Sequence, residues 1–329
     1  MKRTQCALVC MVLAFCLCST ASSAGFTKAG KSIMQFLKIG IGARQVGMGE
    51  AAIASVEDVN AVFWNPAGLR GVESAEASFG YTKWFADLNY LAGAAAIRWP
   101  GVGVFAVEYT SLDYGQMDEA VVSLAGRGND TRTGNTFGGG DLMVGISYSR
   151  EFTDRLSIGG TVKYLQEKLY TYKGTAVAYD VGTNYDFRYN GLHVAMSAQN
   201  FGPTVSWLEH GSQVEGYDLP LTFRIGASIN IFDRSAGFFK LGENHRFVFS
   251  AEAIHSNDTG DRVHIGGEYT FNELLAFRAG YRLNYDEGNL ALGVGLKHSF
   301  SGVTVRFDYA FVSYTYLESP HRFSLSMEF

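Results

Sequence analysis

Cysteine is confined to the first 24 residues, at Cys6, Cys10, Cys16 and Cys18. If those residues are removed on maturation, the working chain has no disulfide, thiolate metal site or cysteine nucleophile. Proline is scarce, 5 of 329 residues against 39 glycines. After residue 24 no apolar run reaches the roughly 18 residues a membrane helix needs. No basic run or nucleic-acid module is present, so a nucleic-acid partner is not expected. The seven histidines, 193, 210, 245, 255, 264, 298 and 321, stand singly, and no His-Glu-x-x-His occurs, so no metal is expected. Glycines 40, 42, 47 and 49 lack the spacing and the Gly-Lys-Ser/Thr of a phosphate loop. Gly145 to Ser149 is not a nucleophile elbow, because its last position is not glycine. No cofactor and no catalytic residue are expected, and the chain does not read as an enzyme.

The same 24 residues read as a secretory signal. Lys2 and Arg3 are the charged region, Ala7 to Leu17 is apolar, and Ser22-Ser23-Ala24 is a small-residue cleavage site. Neither Cys16, after Phe15, nor Cys18, after Leu17, sits in a lipoprotein cleavage box. Of the 27 basic residues two fall in this segment, which leaves 25 against 32 acidic ones, a net charge of -7. An exported chain without a membrane helix is periplasmic, secreted or an outer-membrane β-barrel.

What the chain has in excess is aromatic, 24 Phe and 18 Tyr, set at every second position. Val303, Val305, Phe307, Tyr309 and Phe311 alternate with Thr304, Arg306, Asp308 and Ala310. Phe323, Leu325, Met327 and Phe329 alternate with Ser324, Ser326 and Glu328. A period of two places each set on one face of a strand. An apolar terminal strand left unpaired is an aggregation hazard, so its expected partner is the first strand of the same sheet.

The alternation predicts fourteen strands: 75-82, 88-99, 102-114, 137-152, 155-170, 175-188, 192-201, 221-232, 245-256, 262-271, 274-286, 289-300, 303-316 and 321-329. Many are near the nine to eleven residues of a tilted membrane strand. Short turns should follow strands 2, 4, 6, 10 and 12 on one side. Long loops, Gly115 to Thr136 and Gly202 to Pro220, should lie on the other, as in outer-membrane barrels. Asp233 to Asn244 breaks that rule, being long on the short side. The expected fold is all-β, a transmembrane antiparallel up-and-down barrel of about fourteen strands. A soluble sandwich with one solvated face is the rival.

Charged residues fall on the less apolar face: Glu108, Arg224, Glu252, His264, Glu268, Arg278, Arg282, Lys297, Arg306 and Asp308. In a barrel these form a polar network in the lumen. His264 and Glu268 share a face, with Glu252 on a neighbouring strand, and a hydrogen-bond network is expected there rather than an acid/base pair. Residues 25-72 alternate poorly. They contain Gly47, Gly49 and Asn60, then Asn65-Pro66-Ala67-Gly68-Leu69. Proline fixes one dihedral there and glycine permits a turn. Ile33, Phe36 and Leu37 suggest a short amphipathic helix over 32-38. The domains expected are 1-24 signal peptide, 25-72 plug or hatch, and 73-329 barrel.

Gly40-Ile41-Gly42-Ala43-Arg44, Gly47-Met48-Gly49-Glu50-Ala51-Ala52, Asp58, Asn60-Ala61 and Phe63-Trp64-Asn65-Pro66-Ala67-Gly68-Leu69 resemble the N-terminal segment of the PorV/PorQ family, within the fatty-acid-transporter-like (FadL-type) outer-membrane barrels. The resemblance implies residues 25-69 folded inside the barrel as a hatch, in the outer membrane of a Gram-negative-type bacterium, with lipid around it. It implies that Phe323, Leu325, Met327 and Phe329 are an assembly signal read by the barrel-insertion machinery. Some members act in type IX secretion, which would make secretion-system subunits and exported proteins the partners, bound through the two long loops. Transporter-like relatives pass hydrophobic small molecules, which would make a hydrophobic ligand the partner. A purely structural barrel is a third reading.

Overall fold

A computed structural model describes residues 30–121, 131–209, 212–233, 237–239, 242 and 244–329. The signal segment lies outside the described residues. Sixteen strands make one antiparallel sheet that closes on itself. They are β1 (Ala75–Lys83), β2 (Asn89–Trp99), β3 (Gly103–Val121), β4 (Thr131–Glu151), β5 (Leu156–Leu169), β6 (Tyr172–Asp186), β7 (His193–Phe201), β8 (Val205–Glu209), β9 (Ser212–Tyr217), β10 (Thr222–Phe232), β11 (His245–Ser256), β12 (Arg262–Phe271), β13 (Leu275–Leu283), β14 (Leu290–Phe300), β15 (Val303–Val312) and β16 (His321–Glu328). Fourteen build the wall, and β8 with β9 is a short hairpin between β7 and β10. Closure is made by β1 on β16, from Glu76 opposite Glu328 to Lys83 opposite His321, and the Phe329 amide donates to the Ala75 carbonyl.

The period of two sorts the side chains as the alternation requires. Val107, Ile146, Val181, Leu292, Val294 and Phe307 face outward and are exposed. In water an apolar belt of that extent would drive aggregation; in lipid it is the required surface. At the end carrying Ala75 and Phe329, the near end, Trp99, Phe152, Phe239, Phe300 and Phe329 are all exposed. Aromatics there match the girdle that amphipathic rings form at a bilayer surface. Closure follows from the same solvent, since an open edge in hydrocarbon leaves backbone groups unbonded at several kcal/mol each.

Two loop expectations need correction. Most of Gly115 to Thr136 is strand: β3 and β4 pair on to Val121 and Thr131, with bulges after Asp113 and Asp118. Alternation fades there because both faces of the hairpin meet solvent, so no apolar set marks the strand. Gly202 to Pro220 contains the β8–β9 hairpin. Asp233 to Asn244 remains a long connection at the near end, and Phe239 returns to pair beside Phe232.

The hatch fills the middle of the barrel. Among the described residues its 3-10 turns are Gln35–Lys38, Val59–Phe63 and Pro66–Gly71, and its one helix, α1, is Ala43–Gly47. The expected helix over 32-38 is only the first of these turns. Asp58 caps the second through the Asn60 amide, and Asn65 caps the third through the Ala67 amide.

Two glycine pads on the wall receive the hatch. Gly47, Met48 and Gly49 lie against Gly293, Gly266 and Gly280 on β14, β12 and β13, backbone on backbone. Asn65 and Pro66 lie against Gly159 and Gly182, a cross-strand pair of β5 and β6. A Cβ at Gly280 or Gly182 would overlap hatch atoms. A Cβ at Gly93 meets nothing closer than 3.7 Å. Gly280→Val is therefore expected to destabilise the barrel by about 1–3 kcal/mol through overpacking. It should also leave residues 30–72 open to protease, whereas Gly93→Ala should do neither. Limited proteolysis and thermal melting of the detergent-folded protein check both.

Candidate functional site

The hatch is joined to the wall by charge. The Arg44 guanidinium grips both oxygens of Glu268, at 2.9 and 2.8 Å. Glu268 also accepts from Arg278 at 2.6 Å, and Arg278 reaches Asp308 at 2.7 Å. Asp308 meets Arg306 at 3.2 Å, Arg306 meets Asp58 at 2.6 Å, and Asp58 returns to Arg44 at 3.5 Å. The result is a closed ring of three guanidiniums and three carboxylates, neutral overall. Arg44 and Asp58 come from the hatch; β12, β13 and β15 supply the rest.

Other lumenal residues bind the hatch singly. Glu252 pairs with Arg224 at 2.8 Å and accepts the Ala52 and Ile53 amides. Arg282 pairs with Glu50 at 2.9 Å. His264 sits 2.9 Å from the Tyr285 hydroxyl and makes no pair with Glu268 or Glu252. Glu108 is buried without a hydrogen-bond partner among the described residues. Small wall hydroxyls meet hatch carbonyls: Ser157 and Ser149 on Ala67, Ser197 on Trp64, Ser228 on Ala54. Asn65 donates to the Ile53 and Thr183 carbonyls, and Asn60 accepts from Ser78.

Gly47, Gly49, Asn60, Asn65, Pro66 and Ala67 lie at contacts with the wall, whereas Gly68 packs within the hatch against Val56 and Ala61. The charged contacts bring Arg224, Glu252, Glu268, Arg278, Arg282, Arg306 and Asp308 together with the hatch. Sequence reasoning missed Arg44, Asp58 and Glu50 as their partners. The available signal was charge inside an otherwise apolar, glycine-rich segment.

A cavity lies on each side of the hatch. The near-end one, about 750 Å³, is polar and lined by Arg44, Asp58, Glu268, Arg278 and Arg306 of the ring with Glu57, Glu76 and Lys297. The far-end one, about 1040 Å³, is lined by Ile33, Met34, Phe36, Trp84, Tyr285 and Tyr314 among others. From its floor an apolar cluster, Ile33, Met34, Leu165, Ala176, Ala178, Val205 and Leu219, runs to the wall. The wall is irregular where the cluster meets it. On β6, Lys173 pairs with Leu208, and pairing with β7 begins only at Tyr179. Gly174 to Ala178 have no strand partner on that side among the described residues. The Asp180 carboxylate accepts the Asn200 amide where β7 bulges away, with Asn200 in a left-handed conformation at φ 61°.

A latch closes the far side. Asp258, in the turn between β11 and β12, accepts from Ser32, from Gln35 at 3.2 Å and from Lys38 at 2.8 Å, all on the hatch. Among the described residues no group of three or more metal-ligating side chains is assembled.

No family model and no curated protein matches the chain. Solved structures match its fold. The crystal structure of the Pseudomonas putida toluene transporter TodX has 13% identity and a TM-score of 0.59, covering 88% of this chain and 98% of that one. A Pseudomonas aeruginosa FadL homologue has 10% identity and a TM-score of 0.50, covering 87% and 97%. The structural neighbours are FadL-type outer-membrane barrels, and at this identity they show the fold. They do not bear on the PorV/PorQ resemblance.

Burial alone would raise the Asp258 carboxyl. The hydrogen bonds from Lys38, Ser32 and Ser256, with the Lys38 charge, outweigh it and hold Asp258 well below the usual carboxylate range. A depressed folded value means that the latch contributes fully above the unfolded value of about 3.9. It is lost only as pH falls through the folded one. Protection of the Ser32 to Lys38 segment in hydrogen exchange is therefore expected to be flat from pH 8 to about 5. Asp258→Asn should weaken it at every pH in that range.

Proposed function

We propose that this protein is an outer-membrane channel for hydrophobic small molecules. A solute enters the far-end cavity, follows the apolar cluster, and leaves through the wall where the β6 ladder is unpaired. The observation that carries this is the continuity of Ile33, Met34, Val205 and Leu219 from the cavity floor to Gly174, Ala176 and Ala178. The central path is ill suited to such a solute, since the near-end cavity and the ion ring are polar. The hatch segment at the break is held by few bonds: the Met34 amide to Glu167 at 2.7 Å, the Ile33 amide to Asp218 at 3.1 Å, and the latch at Asp258. The TodX structure, described as a toluene transporter, supports the same class of solute.

Type IX secretion, with secretion-system subunits and exported proteins bound by the outer loops, is the reading the PorV/PorQ resemblance offered. Gly115 to Thr136 falls partly outside the described residues, and Gly202 to Pro220 is folded into the β8–β9 hairpin. The fold neighbours favour the channel. Phe323, Leu325, Met327 and Phe329 keep their proposed part as the signal for the insertion machinery, with Phe323, Leu325 and Phe329 exposed on the outer face.

Two substitutions of opposite sign test the path in cells given toluene. Met34→Ala empties the constriction and is expected to speed uptake several-fold. Ala178→Phe fills it and is expected to slow uptake about tenfold, with the barrel still heat-modifiable. Unchanged uptake in both variants sinks the proposal.

A further inference from the structure

Arg322 is unlike the other arginines in the lumen. It lies on the inner face of β16 between Thr82 and Ala310, and is 1% exposed. Its Nε and both Nη atoms have no hydrogen-bond acceptor among the described residues. The other guanidiniums that face the ring and the hatch each have a carboxylate: Arg224 has Glu252, Arg278 has Glu268 and Asp308, Arg282 has Glu50, and Arg306 has Asp58, while Arg98 donates to the Val72 and Arg70 carbonyls. The Glu50 carboxylate acts on Arg322 electrostatically, but it is already committed to Arg282. One positive charge is left over.

What surrounds that charge is aromatic. Trp84 lies over the guanidinium, 5.1 Å from ring centroid to Cζ. Tyr314 stands at 77° to Trp84, with 6.4 Å between centroids. Tyr90, buried, and Arg322 flank Thr82 from the strands on either side of it. Trp84 and Tyr314 also line the far-end cavity, so the ring that covers the guanidinium is part of the cavity lining. That side chain is carried on a turn under strain. Ala86 and Asp87, neither of them glycine, both have φ 57°. A displacement of Trp84 opens the charge to the cavity.

We propose that Arg322 seats the acid group of an aromatic carboxylate. A buried guanidinium without acceptors is costly, and a carboxylate matches its fork with two parallel hydrogen bonds. The ring attached to that acid takes the place beside Tyr314 and Tyr90 that Trp84 gives up. Planar rings pack edge-to-face or offset against such neighbours, which a flexible chain does less well. The inference rests on the channel reading and narrows it: the far-end cavity selects an anionic ring over a neutral one.

Equilibrium dialysis of the folded full chain in a non-ionic detergent tests it at neutral pH. The probes are 2-naphthoate, 2-naphthalenemethanol and decanoate. Wild type is expected to bind naphthoate about tenfold tighter than the neutral alcohol, the scale of a charge-assisted hydrogen bond. Arg322→Gln should erase that difference and leave alcohol binding unchanged, which also shows that the variant is folded. Arg322→Lys should keep part of it. Equal binding of naphthoate and the alcohol by wild type overturns the proposal, as does a preference that survives Arg322→Gln. Decanoate bound as tightly as naphthoate overturns the assignment of a ring. Loss of binding of all three probes in wild type would count against the channel itself, together with this inference.

Discussion

Six alternating charges fix the hatch in the barrel. Arg44 and Asp58 complete a ring whose other four members, Glu268, Arg278, Arg306 and Asp308, face one another across three strands. Without the hatch those four would still be balanced in number. Glu268 would lose a bidentate partner and Arg306 its shortest one. Burying ions is expensive, and the expense is recovered only when every member is paired. The wall's polar face and the hatch therefore depend on each other. The glycine pads serve the same end, because the charges meet only if the two backbones can touch.

Much of this architecture is legible in the sequence because lipid enforces alternation. Val303 to Phe311 and Phe323 to Phe329 show the period of two without interruption, and closure of β16 on β1 follows from it. Legibility fails where the solvent changes. Beyond Asp113 the β3–β4 hairpin leaves the apolar environment, the period fades, and strand looks like loop. The site was half visible. Glu268, Arg278, Arg306 and Asp308 stand out as charges on strands, and Asn65-Pro66 as a turn. The pairing of Arg44 and Asp58 with them depends on contacts more than two hundred residues apart, which no local pattern encodes. No local pattern singles out Gly266, Gly280 and Gly293; their use as a dock is visible once the hatch is placed.

The two cavities give the interior a direction. One side is aqueous in character, set by the ion ring and its acidic neighbours. The other is lined by rings and aliphatic chains and continues into the wall. The route proposed for a solute is therefore sideways, past Met34, rather than straight through the hatch. That division leaves the costly charge network undisturbed while the segment at the break moves. Local mobility belongs where few bonds hold the backbone, and Ser32 to Lys38 is such a segment.

The dependence of barrel and hatch on one another is tested most directly by a double-mutant cycle at Arg44 and Glu268, read as unfolding free energy of the detergent-folded protein. Arg44→Met and Glu268→Gln are each expected to cost about 3–5 kcal/mol, as breaking a buried pair does. The double variant is expected to lose less than their sum by about 0.5–3 kcal/mol. Single variants as stable as wild type, or strictly additive losses, would contradict the account.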